Sequence, residues 1–128
     1  MRKYNIKFEL HNNSIPIIKM NPNSKFEFIF YLKFYRELGI LEEMLKVIKL
    51  NDNSHYEFLS SIQSFIRIWR DKVEFGQYDD NFFHEIEQFK DYVDEGEIIF
   101  GSIPTQDFLE IVKEWRDFLI KCENDKEK

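Results

Sequence analysis

The chain has 128 residues, which suits one domain whose core buries roughly two thirds of the unfolded surface without metal or disulfide staples. Its 24 acidic against 18 basic side chains give a net charge of −6, a balance that argues against a nucleic-acid ligand, because neutralising phosphates supplies most of that affinity. One cysteine, Cys122, excludes an internal disulfide. No stretch approaches the roughly 18 apolar residues of a membrane span, and the first ten residues lack a signal peptide's apolar run, so a cytoplasmic protein is expected.

Alanine is absent, while 14 Phe, six Tyr and two Trp supply unusual aromatic mass. Aromatics carry interface energy when partly exposed, and they can equally replace the missing Ala and Leu inside the core.

In chain order, Tyr4, Ile6, Phe8 and Leu10 alternate with Lys3, Asn5, Lys7 and Glu9, the pattern of a half-buried strand over residues 3–10. A turn cluster at 11–14 leads to a returning strand over 15–20, where Pro16 favours an edge. Residues 25–35 also alternate, which suggests a third strand. Against that, Ser24 and Glu27 form a capping box and Gly39 a C-cap, which favours a helix over 25–38. A shorter helix over 41–50 follows.

The expected centre of the fold is a helix over 54–75. Ser54 and Glu57 have capping-box spacing, and Phe58, Leu59, Ile62, Phe65, Ile66, Trp69 and Val73 recur at steps of three and four. Arg67, Arg70 and Lys72 then form its solvated side. After a loop at 76–80, Phe82, Phe83, Ile86, Phe89 and Val93 mark a helix over 81–94, and residues 97–100 read as a short strand joining the N-terminal hairpin. Thr105 is an N-cap with Asp107 in the first turn of a last helix. That helix carries Phe108, Leu109, Ile111, Val112, Trp115, Phe118 and Leu119 inward, bringing Trp115 to Trp69 in one core. The expected fold is therefore α+β and mainly helical, with a small antiparallel sheet against four to five helices. A single domain over 1–122 ends in a frayed charged tail.

Charge is unevenly spread. Residues 1–50 hold nine basic against five acidic side chains, whereas 73–97 hold nine acids against Lys90 alone. Such a surface steers a basic protein partner at high on-rate and with marked salt dependence, although a solvated helix face has the same composition. The residues assigned to partner binding are Asp79, Asp80, Glu85, Glu87, Asp91, Asp94 and Glu95, with Tyr78 and Tyr92 as aromatic anchors.

No catalytic motif stands out. His84 shares helical spacing with Asp80, Glu87 and Asp91, but carboxylate metal sites in bundles need matching groups on a second helix. Cys122 lies on an apolar face with no His placed beside it, so no nucleophile is assigned. The four glycines form no phosphate-cradling pattern. No metal, cofactor or enzymatic activity is expected.

Three stretches carry a resemblance: residues 57–70 (EFLSSIQSFIRIWR), 78–89 (YDDNFFHEIEQF) and 96–119 (GEIIFGSIPTQDFLEIVKEWRDFL). Together they resemble the small acidic immunity proteins of bacterial contact-dependent inhibition and related polymorphic toxin systems. The resemblance implies a non-enzyme that blocks the C-terminal toxin domain of a partner, often a basic nuclease, with an acidic face that mimics phosphate. The other reading is a regulatory or scaffold protein of a phage or mobile element, associating as a dimer through its aromatics. A monomer or a homodimer is open at this level.

Overall fold

The computed structural model describes residues 4–12, 14–60, 62–78 and 97–126. The N-terminal alternation forms a hairpin of β1 (Lys7–His11) and β2 (Ile15–Lys19), with Phe8 opposite Ile18 and Leu10 opposite Pro16. Ser14 N–H closes the turn on the His11 carbonyl, and Asn12 adopts a left-handed φ of 53°, a conformation that asparagine tolerates.

Residues 25–38 do not form one helix. A 3-10 helix spans Glu27–Phe34, and α1 then runs Leu38–Leu50. The burial explains the tighter coil: Ile29, Leu32 and Tyr35, three apart, are all buried, and a coil with three residues per turn stacks i and i+3 on one side. Gly39 lies inside the first turn of α1 instead of ending an earlier helix. The end of α1 is capped by Asn51 in the left-handed region, its N–H reaching the Ile48 carbonyl. Leu41, Met44, Leu45, Val47 and Ile48 are buried.

The expected central helix is absent. Residues 54–75 build β3 (Tyr56–Leu59), β4 (Ser64–Ile68) and the start of β5 (Lys72–Tyr78), and β6 (Glu97–Pro104) completes a four-stranded antiparallel sheet in the order β3-β4-β5-β6. The supposed capping box resolves differently: Ser54 N–H bonds the Asp52 side chain, and Glu57 pairs across strands with Arg67. The β3–β4 turn is closed by Ser60 N–H to Ser64 O, with Gln63 at φ 67°. Residues 69–71 join β4 to β5 in a tight turn closed by Trp69 N–H to Lys72 O. The late strand pairs with β5 and not with the N-terminal hairpin, and it runs four residues past 100. Among the described residues, six strands in two antiparallel sheets replace the mainly helical fold with four to five helices. The helix expected over 81–94 lies outside the described residues.

The last helix, α2 (Thr105–Lys126), begins where expected and continues past Glu123, the expected start of a frayed tail. Thr105 Oγ donates to the Trp69 carbonyl at 2.9 Å, joining its start to the β4–β5 turn. Phe108, Ile111, Val112, Trp115 and Leu119 are buried, with Leu109 and Phe118 packed partly against them. The core lies between one face of the large sheet (Ile66, Ile68, Val73, Phe75, Ile103) and the layer formed by the 3-10 helix, α1 and α2. The hairpin joins it through Phe8, whose ring is 5.6 Å from Trp115 and 5.7 Å from Phe118. Trp69 does not meet Trp115. It stands outside that core, against His55 with ring centroids 4.5 Å apart. Among the described residues no helix is long and apolar enough to cross a membrane.

Candidate functional site

Strand pairing places alternate residues on the sheet face that looks away from the helices. One row across this outer face is Leu59, Phe65, Gly76 and Ile99; the next holds Glu57, Arg67, Glu74 and Ser102. Phe65 is only 1% exposed although it stands outside the main core. Gly76 explains the room beneath it, since a Cβ there would sit 2.4 Å from Phe65 Cζ. The ring is roofed from above: the Arg67 guanidinium lies 4.6 Å from its centroid and the Tyr78 ring 5.0 Å.

Both roofing groups are tethered across the sheet. Arg67 Nη2 bonds Glu57 Oε1 at 2.8 Å and Glu97 Oε1 at 2.7 Å, with Glu74 at 3.9 Å from Nη1. Tyr78 Oη donates to Glu57 Oε2 at 2.7 Å, and Trp69 Nε1 donates to Glu74 Oε1 at 2.5 Å. Three carboxylates surround one guanidinium, leaving two formal negative charges in the cluster. Burial works against the charge of Arg67, but hydrogen bonds and attraction from Glu97 and Glu57 outweigh it and hold its pKa above the ordinary value. Burial, followed by the bond to the Glu57 carboxylate, pushes Tyr78 up to about 12. Arg67 is thus clamped and not the solvated helix residue expected.

Of the residues assigned to partner binding, Tyr78 is placed at the end of β5, inside this cluster. Asp79, Asp80, Glu85, Glu87, Asp91, Tyr92, Asp94 and Glu95 lie outside the described residues, as does the His84 group. The topology still fixes where that acidic stretch is rooted: Tyr78 and Glu97, which bound it, are cross-strand partners. The sequence between these two partners, residues 79–96, holds seven acids and one lysine. Sequence reasoning missed Glu57, Phe65 and Arg67 as a unit, because their proximity depends on a strand register that no local pattern displays. Among the described residues no group of three or more His, Cys, Asp or Glu could hold a metal ion.

No family model, curated protein or solved structure matches this chain.

Proposed function

We propose that the chain is an immunity protein that binds and neutralises the C-terminal domain of a cognate bacterial toxin, a basic nuclease, in the cytoplasm. The observation that carries this reading is the rooting of the acidic stretch. Tyr78 and Glu97, which flank it in sequence, pair across strands on a sheet that holds three carboxylates around one arginine. Exposed Leu59 (58%) and Ile99 (44%) flank the cluster, giving apolar contact beside negative charge, the composition that suits a cationic protein surface. The work asked of the chain is binding alone, with no reaction step and no cofactor.

The test is growth under co-expression with the C-terminal domain of the large protein encoded immediately upstream. The reading requires that domain to arrest growth alone, and this chain to restore growth and co-purify with it. Replacing Glu85, Glu87 and Asp91 together with lysine should slow association roughly ten- to hundred-fold at low salt and flatten its salt dependence. An upstream domain without toxicity, or toxicity that this chain leaves untouched, overturns the reading.

A further inference from the structure

The two edges of the large sheet are built differently. The β3 edge is four residues long, carries Glu57, and has its Phe58 carbonyl taken by the Tyr35 hydroxyl at 2.7 Å. The hairpin strands carry Lys7 and Glu9 in β1, and Pro16 and Lys19 in β2. These are the ordinary devices that keep an unpaired strand from recruiting another. The β6 edge has few of them. It is eight residues long, no charge occurs between Glu97 and Asp107, and Pro104 stands only at its far end. Among the described residues no turn, loop or cap hydrogen bond reaches residues 98–103 from outside the β5 ladder.

Apolar side chains accompany this open edge. Ile98 is 49% exposed, and Ile99, pointing to the opposite face, is 44% exposed. A bulge opposite Phe75 and Gly76 leaves Phe100 unpaired and turns it onto Tyr31, with rings stacked at 4.9 Å and 13°. Phe30 extends this platform at 4.4 Å from Tyr31.

We infer that the β6 edge pairs with β6 of a second copy of this chain, antiparallel about a two-fold axis, to make one continuous eight-stranded sheet. The segment matches itself. With Phe100 facing Gly101 of the second copy, Ile99 faces Ser102, Ile98 faces Ile103 and Glu97 faces Pro104, so apolar residues meet apolar or small ones and no like charges are opposed. Such an isologous contact closes on itself and leaves no further edge of this kind. This inference rests on β6 alone and holds whether or not the chain neutralises a toxin.

Sedimentation equilibrium of the full chain, from micromolar to millimolar concentration, tests it. A monomer–dimer equilibrium is expected that tightens with salt, because two chains of net charge −6 repel when unscreened. Hydrogen exchange over 98–103 slows as concentration rises. The double variant Ile98→Lys/Ile99→Lys places charge on an edge whose side chains are already exposed. It should weaken the dimer by about ten-fold or more while leaving the circular dichroism spectrum unchanged. A chain that stays monomeric over the whole range at both low and high salt overturns the inference. So does a dimer whose 98–103 amides exchange at a concentration-independent rate.

Discussion

The two faces of the four-stranded sheet are buried by different means. On the inner face Ile66, Ile68, Val73, Phe75 and Ile103 meet the 3-10 helix, α1 and α2, and exclusion of water from apolar surface suffices. On the outer face Phe65 is as well hidden as any of them, but its cover is a guanidinium and a phenol held by carboxylates. The first kind of burial tolerates salt and pH. The second depends on four ionised groups keeping their positions, and it can be loosened without dissolving the core. Charge and hydrophobic packing here are one device.

The largest expected effect lies on the inner face. Phe75 is fully buried and touches Phe28 and Phe108 at ring distances of 5.3 and 5.8 Å. Phe75→Ala should cost about 3–5 kcal/mol, read as a lower denaturant midpoint. On the outer face, Arg67→Met keeps the stem over Phe65 but leaves three carboxylates facing one another. Because Arg67 is 13% exposed and its Glu57 and Glu97 partners about 30%, about 1–2 kcal/mol is expected, between the values for surface and buried pairs. High salt should shrink that loss and leave the Phe75→Ala loss unchanged. A salt-independent Arg67→Met loss would erase the distinction between the faces.

The smallest effect is seen only in alkali. The Tyr78 hydroxyl titrates near 12 in the folded chain against about 10 when unfolded. Its pKa is raised by folding, so its contribution to stability is fully present below pH 10 and is lost as pH rises through 12. Tyr4 and Tyr35 are raised too, each mainly by burial. Stability should therefore fall from about pH 10 upward, and less steeply in Tyr78→Phe. An unchanged slope in that variant would remove Tyr78 from the clamp.

The same two-sided burial explains what the sequence concealed. The hairpin, the buried positions of α1 and nearly all of α2 follow from period, caps and turn residues, because each presents one apolar side. Residues 54–75 do not. Phe58, Ile66 and Val73 face the helices, Leu59, Phe65 and Trp69 face the other way, and Ile62 sits in a turn. Adjacent apolar residues such as Phe65 and Ile66 break the two-residue alternation and imitate a helical stripe. Neither turn in this stretch contains glycine or proline; Gln63 takes the left-handed position instead. The rooting of the acidic stretch was hidden likewise, since only the pairing of Tyr78 with Glu97 brings its flanking residues together.

Tyr35 makes one consequence of this architecture plain. Its hydroxyl bonds the Phe58 and Ser64 carbonyls, and its own carbonyl accepts the Trp115 indole N–H at 2.9 Å. These partners lie 23, 29 and 80 positions along the chain, so closing them costs loop entropy that local structure cannot repay early. During synthesis the 3-10 helix and the β3–β4 hairpin can meet as soon as both exist, but the Tyr35 carbonyl must wait for α2. Until then that acceptor faces water, and the nascent chain has an incomplete inner layer for as long as translation takes to reach Trp115.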